Sequence, residues 1–395
     1  MSGALAGLRV IEMGSLIAGP FCGQLLGDMG AEIIKLEPPG EGDPMRLWGQ
    51  GPKPAWWQVI ARNKKSVSLD LRQARGQAIA KQLIAKADIL IENFRPGTLE
   101  KWGLAPELLQ GANPGLIIVR VSGYGQNGPY ADRAGFGGVG EAMGGWRYLV
   151  GEPDRAPSRM GVSIGDTLAA TYGCMGALAA LHHRDMTGKG QVVDSALYEA
   201  VLQVTESLLA DYGASGFMRE RSGSILPRIA PSNIYPCKDG DIVIGANQDK
   251  VFLRLCEAMA RPEMAIDPRY KTHHARGDRQ TELDVIIADW TRPQSLAEVD
   301  ALMVSFGVPA GPLYRPDQIL TDPHFAARDA VVWQDHPTLG RIPMQNAFPR
   351  LSETPSQALR SAAPQTVGQH NRDVLGGLLG FDEDEITALE RSGVI

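Results

Sequence analysis

The chain opens with short apolar runs that alternate with segments of helical spacing. LRVIEM (8–13) is rich in β-formers, AGPFCGQLLGDMG (18–30) has helical spacing and ends on Gly30, and AEIIKLE (31–37) is strand-like again. SVSLDL (66–71) alternates and precedes a helical RGQAIAKQLIAKA (75–87). DILIENF (88–94) reads as a strand, GTLEKWG and PELLQGA as short helical pieces, and GLIIVRVSG (115–123) as a further buried strand. Strand–helix repetition of this kind predicts a parallel, doubly wound sheet whose strands are covered on both faces.

Between 124 and 165 the periodicity gives way to glycine, in GYGQNGPYADRAGFGGVGEAMGG, which predicts tight turns and close backbone approach. Two long helices are expected next, over 167–184 and 194–213, joined by DMTGKGQ. Past residue 220 the character changes. IYPC and DIVIGA flank a KDGD hairpin turn, helical patterns follow at 250–261 and 278–290, and GVPAGPLY (307–314) closes the segment. A chain of 395 residues is too long for one simple core. The expected fold is α/β, with a Rossmann-like doubly wound parallel sheet in a large domain (1–221). A smaller α+β domain (222–325) follows, and 326–395 return to the large domain.

Composition narrows the partners. The chain is 44% hydrophobic and 21% charged with a net charge of −6, and it has no lysine/arginine block, so neither nucleic acid nor an anionic membrane surface is expected as a partner. Cys22, Cys174, Cys237 and Cys256 are far apart and form no C-x-x-C pair. They read as reduced thiols of a cytoplasmic protein rather than as disulfides or a zinc site. The histidines show no metal-pair spacing, and the start of the chain lacks a signal-peptide pattern. The uncharged stretch after Asp166 is rich in Gly, Ala and Thr and ends in HHRD, which suits a buried core helix better than a membrane span.

A doubly wound sheet binds its ligand at the carboxyl ends of the strands. The loop after the first strand, GSLIAGP, is not G-x-G-x-x-G, so the dinucleotide fingerprint is missing, and neither a P-loop nor a G-x-S-x-G elbow occurs. Asp166 remains. Standing before TLAATYG, it reads as a helix N-cap. A carboxylate at a helix N-terminus is also kept anionic, and an anionic carboxylate can attack an activated acyl group. Gly165 leaves room for a substrate beside it. The two readings are compatible.

Several stretches, in this order, resemble the class III CoA-transferases, the family of formyl-CoA transferase and carnitine CoA-transferase. They are LAGLRVIEMGSLIAGPFCGQLLGDMGAEIIKLEPPGEGDPMR, RNKKSVSLDL, ENFRPGTLEKWGL, VSGYGQNGPYADRAGF, GDTLAATYG, TGKGQVVDSALYEA and GVPAGPLY. The resemblance implies an interlocked homodimer with coenzyme A, as substrate rather than tightly bound cofactor, lying in a cleft at the interface. It implies Asp166 as the nucleophile that carries CoA through aspartyl-anhydride and aspartyl-CoA intermediates. It implies CoA contacts at Leu16, Ile17, Ala18, Leu69, Asn93 and Phe94. Lys101, with Arg95 nearby, falls at the phosphate-binding base, although a solvated helix charge is the plain alternative for Lys101.

The formyl-specific relative carries histidine, arginine and tyrosine where this chain has Ser15, Pro38 and Phe136, and its mobile glycine loop corresponds to PRIAPS (227–232). The resemblance therefore leans toward relatives that move CoA from succinyl-CoA to a dicarboxylic or hydroxy acid, with Arg228 or Arg133 as candidate partners of a distal carboxylate. The racemase branch of the family uses a histidine where Phe136 stands, and a phenyl ring takes no proton. A racemase-like isomerase and a CoA-binding protein without turnover are the alternatives.

Overall fold

Neighbouring residues of the buried strands enter two different cores. In β1 (Arg9–Glu12), Val10 joins one apolar layer and Ile11 the other; in β4 (Ile89–Glu92), Ile89 and Ile91 oppose Leu90. This is the period of two that a strand imposes when both of its faces are covered. The computed structural model describes residues 3–395. With β2 (Glu32–Glu37), β3 (Lys64–Ser68), β5 (Ile117–Ser122) and β6 (Val192–Ala196), these strands form one parallel sheet in the order β3-β2-β1-β4-β5-β6. That is the strand order of a Rossmann-type sheet.

Helix α1 (Ala18–Asp28) and a long helix, Ile164–Thr187, cover one face; α2 (Ala74–Ala85) and the C-terminal helix Glu383–Arg391 contribute to the core on the other. The free edge of β3 is also covered. His370 N donates to Ser66 O at 2.9 Å, Ser66 N donates to His370 Nδ1 at 3.1 Å, and Ser68 N donates to Asn371 Oδ1 at 2.9 Å. Returning chain thus satisfies backbone groups that would otherwise template another strand.

Two expectations need correction. The run 194–213 is not one helix. Its start belongs to β6, where Val192 and Val193 pair with Ile118 and Val119, and only then does helix follow at Leu197–Leu202 and Leu208–Ser215. The β-branched pair next to an open parallel strand outweighs the helical spacing. The glycine-rich region is not all loop: it holds α3 (Gly137–Met143) and a turn of helix at Trp146–Leu149.

The helix Ile164–Thr187, here α4, is long and apolar enough to cross a membrane, yet half of its most apolar window is buried in the protein. Ala169, Ala170, Gly173, Cys174, Ala177 and Ala180 face the sheet. Their small size permits close approach: a Cβ on Gly173 would sit 3.1 Å from Val119 Cγ1.

By contacts the chain divides into two units. One comprises Met1–Arg147, Met160–Ala210 and Pro323–Ile395 and holds the parallel sheet; the other comprises Tyr148–Arg159 and Asp211–Asp322. The second unit has an antiparallel sheet of β7 (Ser232–Cys237), β8 (Gly240–Gly245) and β9 (Ala310–Pro312). Its core includes Tyr235, Ile242, Ile244, Phe252, Leu283 and Val299. Arg276 is fully buried there, donating to Ala230 O at 3.1 Å and Tyr270 O at 3.0 Å and pairing with Asp249 at 2.7 Å.

Gly173→Leu should destabilise the sheet unit by about 1–3 kcal/mol, the usual range for overpacking a filled core. Thermal melts of the variant and wild-type chains check this, and an unchanged melting temperature would contradict the close helix–sheet approach.

Candidate active site

The chain leaves β1 toward β2 and enters β4 on β1's other side, so the carboxyl ends of β1 and β4 bound the crevice where such sheets take ligands. The loop after β1 is held by side chains. Asn93, just past β4, accepts from Ser15 N at 2.8 Å and donates to Ser15 O at 2.9 Å. Asp43 Oδ1 accepts from Leu16 N at 3.0 Å, and Lys35 Nζ donates to Gly14 O at 2.7 Å. Leu16 has φ 64°, a left-handed conformation that costs a non-glycine residue about 1–2 kcal/mol. Gly14 is required by proximity, since a Cβ there would lie 2.7 Å from Asn93 Oδ1.

Beneath the loop lies a buried charge network. Lys35 pairs with Glu12 at 3.0 Å and Asp43 at 2.8 Å, and Lys64 pairs with Glu12 at 2.7 Å. Arg46 pairs with Glu37 at 2.8 Å and stacks 4.0 Å over the Trp57 ring. Burial alone would pull Lys35 down, but Glu12, Asp43 and Glu37 outweigh it and hold the ammonium above the ordinary lysine range. Burial would raise Asp43 and Glu37. Lys35 beside the first, and Arg46 with Lys35 beside the second, outweigh that and hold both below the ordinary carboxylate range. Lys64 is lowered, chiefly by its burial.

Two cavities open on either side of the loop, and Ser15 lines both. The larger, about 350 Å³, lies over the ends of β1 to β4 and includes Leu69, Phe94 and Trp102 in its lining. Phe94 and Trp102 meet edge to face with centroids 5.0 Å apart. Arg120, bridging Glu92 at 2.7 Å and Glu100 at 2.9 Å, ties the helical turn before Trp102 to β4 and β5. The smaller cavity, about 160 Å³, is lined by Leu16, Ile17, Ala18 and Asn93 together with Asp166. The structure thus groups Leu16, Ile17, Ala18, Asn93 and Asp166 in one cavity and Leu69 and Phe94 in the other. Arg95 and Lys101 are exposed and line neither. Arg133 stacks 3.5 Å over Tyr130 and is not in the lining of the Asp166 cavity, and Arg228, in the second unit, pairs with Asp278 at 2.8 Å.

Sequence reasoning passed over Trp48 in the Asp166 cavity and Arg72, Asp43 and Lys35 in the larger one. Trp48 and Arg72 carry no distinguishing local pattern. The spacing KLEPPGEGD, with a charge at the end of a strand and an Asp after a double-proline turn, was the available signal for the other two.

Asp166 is not the N-cap. The helix α4 begins at Ile164 with Ser163 at the cap position, so Asp166 is its third residue, still in the first turn, where the helix dipole favours a negative charge. The shift arises because the helix starts earlier, with Thr167 Oγ1 donating to Ser163 O at 2.9 Å. Glycines shape the wall around the half-buried carboxylate. A Cβ on Gly137 would stand 2.7 Å from Asp166 Cγ, and one on Gly165 would stand 3.0 Å from Gly137 O. Gly123 and Gly135 also meet backbone to backbone: a Cβ on Gly123 would lie 2.6 Å from Gly135 Cα. This closes the glycine loop on itself and brings Phe136 to the cavity. Among the described residues no group of three or more His, Cys, Asp or Glu side chains is arranged to hold a metal ion.

Comparison with known proteins gives consistent results. The model of CoA-transferase family III matches residues 5–371. A succinyl-CoA–D-citramalate CoA-transferase of Chloroflexus aurantiacus is 54% identical, covering 98% of this chain and 97% of that one. The alpha subunit of a succinyl-CoA–L-malate CoA-transferase of the same organism is 40% identical over 99% of this chain and 92% of its own. A CAIB/BAIF family protein from Brucella suis superposes with a TM-score of 0.84 at 34% identity, covering 96% of this chain and all of that one.

The charge network has a pH signature. Asp43 and Glu37 are depressed in the folded chain, so the stability they contribute is present above the ordinary carboxylate value of about 4 and is lost as pH falls through their folded values. Melting temperatures measured from pH 7 to pH 3 should fall below about pH 4, with a shallower fall in Glu37→Gln. Identical acid limbs for the two proteins would contradict the network's role.

Proposed function

We propose that Asp166 is the nucleophile of a CoA transfer, from the premise that the chain belongs to CoA-transferase family III. The observation that carries the reading is the adjacency of the two cavities: one loop, residues 14–18, walls both the larger cavity and the smaller one that holds Asp166, and Ser15 lines both. An acyl-CoA with its nucleotide toward Phe94 and Trp102 can then reach the carboxylate with its thioester. The relatives named for succinyl-CoA with D-citramalate or L-malate support succinyl-CoA as donor and a short hydroxy- or dicarboxylic acid as acceptor.

In the proposed sequence, an oxygen of Asp166 attacks the thioester carbonyl and CoA thiolate leaves, forming a mixed anhydride. The thiolate then attacks the aspartyl carbonyl, the anhydride C–O bond breaks, and the donor acid departs as its carboxylate. The acceptor carboxylate attacks the resulting aspartyl thioester and again expels the thiolate. Finally the thiolate takes the acceptor's acyl carbon, giving the new thioester and restoring Asp166. No net proton is exchanged, so the carboxylate needs no general base. Phe136 in the same cavity speaks against racemisation, which requires a proton acceptor at the α-carbon.

Incubation with succinyl-CoA followed by hydroxylamine should convert Asp166 to a hydroxamate detectable by peptide mass spectrometry. Asp166→Ala should lose this product and lower exchange by at least about 1000-fold, as loss of a covalent nucleophile does. Undiminished exchange in that variant would defeat the reading.

A homodimer suits the same site. The lining of the Asp166 cavity offers the hydroxyl residues Ser15 and Ser122 but no lysine or arginine, so a cation for an acceptor's distal carboxylate comes from outside this lining. One side of α4, with Thr171, Met175, Ala179 and Met186, is exposed, as are Phe136, Val139 and Met143. Apolar exposure of this extent suits a protein partner. Light scattering on the eluting protein should return about 85 kDa, twice the 42.5 kDa chain; a monomer mass would remove the dimer from the proposal. Four free cysteines agree with a reducing, cytoplasmic setting.

A further inference from the structure

We infer that Asp43 is a positioning residue of the transfer reaction, fixing the loop that separates the two cavities through the amide of Leu16. The inference rests on the proposed reading of those cavities as one acyl-CoA site.

Four backbone polar groups of residues 14–16 are bonded to side chains: Gly14 O to Lys35, Ser15 N and Ser15 O to Asn93, and Leu16 N to Asp43. The loop's path is therefore decided by side chains from other elements. Within it, Leu16 is the one residue in a left-handed conformation, at φ 64°, and it carries a full side chain. A leucine released from its constraints returns to negative φ, because its Cβ disfavours the left-handed region. That rotation would carry Ser15 and Ile17 with it, and these residues line the cavities.

Asp43 is built for the task. It is 2% exposed, and its Oδ1 accepts from both Leu16 N, at 3.0 Å, and Met45 N, at 2.9 Å. Its other oxygen lies 2.8 Å from Lys35 Nζ, the same ammonium that holds Gly14 O. Its own N–H donates to Glu37 Oε2 at 2.9 Å. Asp43 and Lys35 thus clamp the residues on either side of Ser15 and are themselves ion-paired. Asp43 borders the larger cavity but is absent from the lining of the one that holds Asp166, so toward the reacting carboxylate it acts through Leu16, on geometry.

The test is a double-mutant cycle with Leu16→Gly, because glycine adopts φ near 64° without assistance. Variants are first compared by circular dichroism and melting, and rates are taken per folded chain. Asp43→Ala should lower kcat/KM for succinyl-CoA at least tenfold. The same substitution in the Leu16→Gly background should lower it at least threefold less. A purely structural role predicts equal losses in both backgrounds, and that result, or an Asp43→Ala enzyme within twofold of wild type, overturns the inference. If Asp43→Ala does not fold, hydrogen exchange on the wild-type chain decides: the Leu16 amide should exchange at least tenfold more slowly than an unprotected amide, and exchange at the unprotected rate overturns it. Failure of the broader transfer reading is distinguishable, since it would leave wild type itself without Asp166 trapping.

Discussion

Lys35 brings an ammonium ion to the end of β2, where almost no water reaches it. Removing an ion from water costs several kcal/mol even after relaxation, so the surroundings must answer it. They do so with an even balance: Glu12, Glu37 and Asp43 against Lys35, Lys64 and Arg46, in ion pairs of 2.7 to 3.0 Å. Because each member is needed to neutralise another, the carboxyl ends of β1 and β2, the start of β3 and the turn around residue 43 are locked together. The loop after β1 inherits that fixity, and with it the position of both cavities. A hydrophobic cluster in the same place would be as stable, but it would offer no directed donors and acceptors to the backbone of residues 14–16.

The wall facing that loop is rigid for the opposite reason, which is the absence of side chains. Gly123, Gly135, Gly137 and Gly165 let backbone meet backbone or carboxylate at distances that a Cβ forbids. Further along α3, a Cβ on Gly140 would fall 2.7 Å from Leu197 Cβ, so the same device seats α3 against α5 (Leu197–Leu202). A charge-built wall and a glycine-built wall enclose the carboxylate from two sides.

The sequence's legibility follows from these two devices. Strands β1, β2, β4 and β5 were readable because apolar runs covered on both faces leave a continuous pattern, whereas β3 (KKSVS) starts two residues before the alternating stretch expected at 66–71 and holds one apolar residue, Val67. The strand β6 was not, because it is an edge strand with exposed Val192 and Asp194 that runs straight into helix. The helix α3 was hidden by its glycines, which signal a loop by propensity but here serve close packing. Asp166 and the residues of the loop after β1 could be picked out because the resemblance attaches to local motifs. Asp43 and Lys35 had only the spacing KLEPPGEGD to mark them, which does not tell which charges will be buried together. For Arg95 and Lys101 the motif gave a position, while the fold leaves both side chains in solvent and outside the cavity linings.

The chemistry proposed for Asp166 explains why a fold would spend its buried charges on geometry. A serine or cysteine nucleophile must lose a proton, so its site is organised around a base. A carboxylate at neutral pH is already ionised, and its weakness as a nucleophile is offset by placement against the thioester carbon. Placement to within a fraction of an ångström demands walls that do not relax. A left-handed leucine held by a buried ion pair and a carboxylate seated on a bare glycine are two ways of meeting that demand. Each tolerates little substitution, because each depends on an atom being present or absent at one point. In the reaction proposed here Asp166 supplies the attacking oxygen already ionised, and the placement of that oxygen falls to the residues that set the distance between the loop after β1 and the first turn of α4.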